Sequence, residues 1–141
     1  MNEYTIHDIS VGMTERFSVT VTDEMMASFR QMTGDHNPLH TDEEYAKKQG
    51  YPSPVTYGML TASLLSTLAG MYLPGKYSLI QSVEIKFSKP VFPGNTLTVT
   101  GVVKELHENL NMMQLKVQIQ DETNRAVLKG KMQIGFLPQS P

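Results

Sequence analysis

Hydrophobic and polar residues alternate with a period of two along most of the second half of the chain. The stretch from Met113 to Gln120 alternates without a break. Three more segments place apolar residues on one face: Val83, Ile85 and Phe87; Leu97, Val99, Gly101 and Val103; and Leu128, Met132, Ile134 and Phe136. Phe17, Val19 and Val21 repeat the pattern near the start of the chain. This period predicts half-buried antiparallel strands with one solvated face.

Two short helices are predicted before the long apolar segment. Thr22 is a suitable N-cap for a helix with acids in its first turn, which ends at Gly34. Thr41 and Glu44 have the spacing of a capping box, and Gly50 ends the helix that this box begins.

The segment from Tyr51 to Gly75 contains no charged residue. Polar residues and glycines interrupt it, and no apolar run approaches the roughly 20 residues of a membrane span. We therefore expect a helix from Gly58 to residues 73–75 that is buried inside the fold. Small residues recur along this helix, at Ala62, Ser66, Ala69 and Gly70. They suit the close approach of sheet backbone or of a ligand, and tight core packing explains them equally well.

Only this helix is fully apolar, so it is the element that the strands must cover. The pattern predicts an α+β fold in which a curled antiparallel sheet surrounds a long central helix. No linker or internal repeat divides the chain, and its 141 residues are enough for one domain, residues 1–141, with a real core.

Composition excludes several classes of protein. The net charge is −2 and no stretch is strongly basic, which argues against binding to nucleic acid. The absence of cysteine excludes disulfides and a cysteine nucleophile, and it fits a cytoplasmic protein. No histidine spacing is typical of a metal site, so we expect neither a metal nor a cofactor.

The candidate chemistry lies in the stretch TGDHNPLHTDEEY, residues 33–45. Asp35 and His40 are a carboxylate and an imidazole on either side of a turn that Asn37 and Pro38 restrict, so they can converge on one water. The same stretch also suits a polar turn that caps the next helix, because Asp and Asn side chains often bond the backbone two residues on. From these residues alone the two interpretations are equally good.

The start of the buried helix adds a second element. A helix N-terminus presents free N–H groups and a positive dipole end. Gly58 has no side chain, so a carbonyl oxygen can approach its N–H as in an oxyanion site. A polarised carbonyl that faces an activated water suits hydration of a conjugated double bond, or the reverse elimination. Hydrolysis of an ester or thioester fits these residues less tightly.

Three segments together resemble the MaoC-like dehydratases, the (R)-specific enoyl-CoA hydratases: TGDHNPLHTDEEYA, YGMLTASLLSTLAGMYLPG and EIKFSKPVFPG. The resemblance runs from Val19 to Phe136. It implies a hot-dog fold, assembled as a homodimer or a dimer of dimers. It also implies hydration of trans-2-enoyl thioesters to (R)-3-hydroxyacyl thioesters, with acyl-CoA or acyl-carrier-protein thioesters as substrates.

The resemblance assigns roles to five residues. Asp35 and His40 match the catalytic pair of the family, and Gly58 matches the residue whose N–H binds the thioester oxygen. Ser66 falls where the family has a serine near the site. Tyr57 stands where the family usually has histidine, and we expect it to contact the substrate and alter the choice of acyl group.

Two other activities of this fold are disfavoured. Hot-dog thioesterases, and the dehydratases of fatty-acid synthesis, usually place an acid on the central helix, and the segment from Tyr57 to Gly75 has none. A non-catalytic acyl-thioester binding protein stays open as a third possibility. An intact Asp35 and His40 pair argues against it.

Overall fold

The computed structural model describes residues 1–139, and within them five strands form one antiparallel sheet in the order β1-β3-β4-β5-β2. The strands are β1 (Thr14–Thr20), β2 (Ser78–Phe87), β3 (Thr96–His107), β4 (Met112–Gln120) and β5 (Ala126–Phe136). The helices are α1 (Asp23–Thr33), α2 (Pro38–Thr41), α3 (Glu43–Lys48) and α4 (Gly58–Thr67), and α4 continues as a π-helical segment, Leu68–Tyr72. No helix in this part of the chain has the length and apolar character needed to cross a membrane.

The sheet curls around the central helix, as predicted. The π-helical segment packs against β1 and β2, which are the two opposite edges of the sheet, and also against β3. Both edges can reach one segment only if the sheet bends around it. The inward residues of β3, β4 and β5 are buried, which confirms the period-two prediction for these strands.

The helical segment that follows α4 approaches the sheet closely at Gly101 of β3. A methyl group on Gly101 would lie 2.9 Å from the Cδ2 atom of Leu68, so the end of the Leu68 side chain would have to shift. The small residues of the helix divide between two surroundings. Ala69 is fully buried in the core, whereas Ala62 and Ser66 line a cavity.

Helix α1 begins and ends where the sequence predicts. The Oγ1 atom of Thr22 accepts a hydrogen bond from the Met25 N–H at 3.1 Å. Gly34 follows the helix with φ of 74°, a left-handed conformation that glycine adopts easily. This turn directs the chain into the segment that carries Asp35.

The predicted capping box is wrong. Thr41 is the last residue of α2, and the cap of α3 is Asp42, whose Oδ1 accepts the Tyr45 N–H at 3.1 Å. Pro38 begins a separate helical turn that includes Thr41, which leaves the next residue to cap α3. Thr41 and Glu44 therefore do not form a capping box.

Strand β2 differs from the other strands because residues on both of its faces are exposed. Val83 is 44% exposed and Phe87 is 51% exposed, although the pattern predicts that this face is half-buried. The prediction is wrong for β2 because this strand is an edge of the sheet and the chain itself covers little of its apolar face. That face borders the candidate site.

Candidate active site

A cavity of about 810 Å³ lies between α1, α4 and the apolar face of β2. All five predicted site residues line it, although they come from two segments of the chain: Asp35, His40, Tyr57, Gly58 and Ser66. Apolar side chains form most of the remaining wall, among them Phe29, Met59, Leu65, Ile80, Val83, Ile85, Phe87 and Met132. The cavity therefore combines a small polar end with a hydrophobic body, as sites for small organic ligands do.

His40 is held in one orientation by its backbone and by its ring contacts. It lies in α2, which begins at Pro38 with Asn37 as its cap. The Nδ1 atom lies 2.6 Å from the carbonyl oxygen of Val55, which can only accept, so Nδ1 carries the hydrogen. The ring stacks on Tyr57 with centroids 4.2 Å apart. Because Nδ1 is engaged by Val55, Nε2 is the ring nitrogen that is left for a ligand.

Asp35 takes part in the local turn and also lines the cavity. Its Oδ1 atom accepts the Asn37 N–H at 3.1 Å, as the turn interpretation expects. Its Oδ2 atom has no hydrogen-bond partner within residues 1–139, and the side chain is exposed at the cavity. One carboxylate oxygen serves the turn and the other is available to a ligand, so the two interpretations do not exclude each other.

Gly58 is the first residue of α4 and lines the cavity. The N–H groups of Leu60 and Thr61 bond to the Tyr57 carbonyl, and the Tyr57 side chain does not cap the helix. The Gly58 N–H has no acceptor in the described part of the chain. A free donor at the positive end of a helix can stabilise negative charge that develops on an oxygen in the cavity.

Tyr57 lies next to Asp35 and His40, whereas Ser66 lies farther along the cavity. Tyr57 is only 1% exposed, and its hydroxyl donates a hydrogen bond to the Asp35 carbonyl at 2.6 Å. Ser66 is exposed on α4, eight residues after Gly58, which is about 12 Å along the helix axis. A group that is bound at Gly58 is therefore beyond the reach of Ser66, and Ser66 faces a more distant part of the cavity.

Two contributions to the site were missed at the level of sequence. The Val55 carbonyl orients His40. This contact uses the backbone, which is the same for every residue type at position 55, so no sequence pattern predicts it. The apolar residues of β2 line the cavity, whereas their alternation by itself predicts only a half-buried strand. Residues 1–139 contain no group of three His, Asp or Glu side chains that could hold a metal ion.

The chain is similar to known proteins over most of its length. The family model for the MaoC like domain matches residues 8–126. The (R)-specific enoyl-CoA hydratase of Aeromonas caviae is 35% identical over 111 residues, which cover 79% of this chain and 83% of that protein. The 3-hydroxybutyryl-CoA dehydratase of Methylorubrum extorquens is 32% identical over 99 residues, 70% of this chain and 63% of that protein. A solved structure of an (R)-hydratase from A. caviae covers 92% of this chain and 98% of its own, with TM-score 0.87 at 32% identity.

Proposed function

The chain belongs to the MaoC-like domain family, and on that premise we propose that it adds water to trans-2-enoyl thioesters, or removes it from (R)-3-hydroxyacyl thioesters. The observation that carries the proposal is the meeting of Asp35, His40 and Gly58 at one cavity. A carboxylate, an imidazole with a free nitrogen and an unpaired N–H are the groups that this reaction needs. The protein is a lyase, a hydratase or dehydratase.

Gly58 polarises the substrate in this proposal. The thioester carbonyl oxygen accepts the Gly58 N–H, and the negative charge of the enolate-like transition state builds on that oxygen. The N–H stands at a fixed position at the helix start, so it stabilises this charge without reorganisation. The double bond becomes electron-poor at its β-carbon, where water can attack.

Asp35 and His40 hold the water and carry the protons. The water oxygen bonds to the β-carbon while one water proton passes to the pair. The pair then delivers a proton to the α-carbon, so the net change is the addition of one H₂O. Dehydration is the same sequence in reverse. The hydrogen bond from His40 Nδ1 to Val55 keeps Nε2 as the nitrogen that takes part.

The apolar body of the cavity receives the acyl chain. Met59, Leu65 and Met132 line it together with residues of β2. Burial of an apolar chain against such a wall contributes roughly 0.8 kcal/mol for each methylene group. The thiol that carries the acyl group is coenzyme A or an acyl carrier protein.

A homodimer, alone or paired as a dimer of dimers, completes the site. The cavity-facing side of edge strand β2 exposes Ile80 (38%), Val83 (44%) and Phe87 (51%) beside an unpaired backbone ladder. An exposed apolar edge of this kind is an association surface, and pairing with a second copy closes it. The same face borders the cavity, so the second copy would also cover the substrate. A cytoplasmic location stays a prediction.

Loss of the enoyl absorbance of crotonyl-CoA tests the proposed function directly. We expect the purified protein to hydrate this thioester and chiral analysis to identify the (R)-3-hydroxy product. Saturable binding of short and medium enoyl thioesters without turnover would support the non-catalytic binder instead. Release of free coenzyme A would indicate a thioesterase. Either result would overturn the proposal.

A further inference from the structure

We propose that Tyr57 is a positioning residue that holds Asp35 and His40 in place relative to Gly58. The proposal rests on the hydratase function proposed above. Its starting observation is the hydrogen bond that the Tyr57 hydroxyl donates to the backbone carbonyl of Asp35, at 2.6 Å and across 22 positions in the sequence.

This hydrogen bond is the tertiary anchor of the segment that carries Asp35. All residues from 31 to 38 are exposed. The other hydrogen bonds of residues 34–37 in the described chain are local: they connect this segment to α1, to itself or to α2. Without the Tyr57 hydroxyl, the peptide of Asp35 has no hydrogen bond to the core.

The ring of Tyr57 positions His40 at the same time. It lies 4.2 Å from the His40 ring and 4.8 Å from the Phe29 ring, measured between centroids. It therefore packs between α1 and α2, with only 1% of the residue exposed. Peptide linkage places Gly58 immediately after it, so one rigid residue sets the positions of the carboxylate, the imidazole and the N–H.

Tyr57 does not act on the substrate through its hydroxyl. The hydroxyl hydrogen is engaged by the Asp35 carbonyl. Positioned groups gain their rate advantage from a geometry that is fixed before the substrate binds. The hydroxyl therefore affects turnover through Asp35, and binding of the thioester depends on it little.

Tyr57→Phe tests this role because it keeps the ring and removes only the hydroxyl. We expect kcat for crotonyl-CoA to fall about tenfold while KM changes less than twofold. Tyr4→Phe is the matched control, since its hydroxyl donates to Glu15 at 3.4 Å and does not line the cavity. It should leave both constants unchanged.

A double variant separates positioning from a general structural effect. If Tyr57 acts through Asp35, adding Tyr57→Phe to Asp35→Asn should lower kcat less than twofold further, because groups that act as a unit are not additive. A further tenfold loss would overturn the proposal. An unchanged kcat in Tyr57→Phe, or a raised KM with the same kcat, would also overturn it.

Hydrogen–deuterium exchange provides a readout that does not need activity. We expect the amides of residues 35–37 to exchange faster in Tyr57→Phe than in the parent protein, with no change in Tyr4→Phe. Equal exchange in Tyr57→Phe and the parent would overturn the anchoring. A parent protein that is inactive on enoyl thioesters would reject the proposed function alone, and exchange would still decide whether Tyr57 anchors Asp35.

Discussion

The Nδ1 atom of His40 lies 2.6 Å from the carbonyl oxygen of Val55. Val55 is buried, at 8% exposed, in the segment that leads into α4, so its carbonyl is a fixed acceptor. The contact makes Nδ1 the donor, so Nε2 is the nitrogen that exchanges a proton in the proposed reaction. The imidazole is therefore oriented before any substrate is bound, as acid–base catalysis requires.

Asp35→Asn and His40→Gln should each lower kcat by roughly 10²–10⁴-fold, the usual contribution of a positioned acid or base. The double variant should be little worse than either single one, because both side chains act on the same water. Melting temperatures should change little, since Asp35 is exposed and His40 is only partly buried. Steady-state kinetics with crotonyl-CoA measures all three variants.

His36→Gln is the control for the catalytic pair. His36 is the immediate neighbour of Asp35, is exposed and does not line the cavity, so this variant should retain full activity. If Asp35→Asn kept full activity, the only role left for the carboxylate would be its hydrogen bond with the Asn37 N–H in the turn.

Gly58→Val should abolish most of the activity and retain the fold. A side chain at position 58 occupies the space through which a carbonyl oxygen reaches the N–H, and loss of one such donor costs about 10²–10³-fold in kcat. The new Cβ atom would lie 3.3 Å from Cε1 of Phe87, a ring that is 51% exposed and can move. Activity and the melting temperature should be measured on the same preparation.

Gly70→Ala is the matched control for the glycine of α4. Gly70 lies in the π-helical segment, and an added methyl group meets no atom within 4 Å. This variant should keep its activity. If Gly58→Val did so as well, the Gly58 N–H would not be the donor to the thioester oxygen.

Val83→Lys should convert the proposed homodimer into a monomer. A charged side chain on the exposed face of edge strand β2 opposes pairing with a second copy, because the charge would have to lose its water. Sedimentation velocity at micromolar concentration separates the two states. Hydration should fall in parallel, since Val83 also lines the cavity.

Leu110→Lys provides the comparison for this surface. Leu110 is 63% exposed in the turn between β3 and β4, two strands that β5 separates from β2, so the variant should sediment as the parent protein does. A parent protein that is purely monomeric under the same conditions would contradict the proposed assembly.

Asp121 should make stability depend on acid pH. It is buried in the turn between β4 and β5, where the Thr123 hydroxyl donates to Oδ1 at 2.6 Å. This bond, with the backbone N–H groups of Arg125 and Thr123, holds the pKa of the Asp121 carboxyl below its ordinary value of 3.8. A lowered pKa in the folded state contributes stability that is present above 3.8 and is lost as the pH falls through the folded pKa.

Urea unfolding of the parent protein and of Asp121→Asn measures this contribution. The difference in unfolding free energy should be largest near about pH 7 and should shrink as the pH falls below 3.8, where the carboxyl of the unfolded chain becomes protonated. Glu43→Gln removes an acid from the exposed ion pair with Lys47 and should change stability by about 0–1 kcal/mol. A difference that stays constant down to about pH 3 would contradict the role of Asp121.

Local signals were sufficient where one segment determines its own structure. Thr22 and Gly34 bound α1 because an N-cap and a left-handed C-cap act within a few residues. The same holds for β4, whose alternation places Met113 to Ile119 alternately in the core and toward solvent. At position 41 two local signals conflict. Thr41 has the spacing of a helix cap, but Pro38 begins a helical turn that includes Thr41, so Thr41 does not act as a cap.

The sequence by itself determined the class of fold, the central helix and the residue types of the candidate site, but not that one side of α4, with Met59 63% exposed, is open. Only the tertiary structure decided that His40 donates to Val55, that Tyr57 donates to Asp35 and that the apolar face of β2 is open. The two hydrogen bonds join residues that are 15 and 22 positions apart in the sequence. The open face of β2 depends on which strand becomes an edge of the sheet. The local sequence around a residue does not specify which distant group that residue contacts. Only the packing of the whole chain selects the partner.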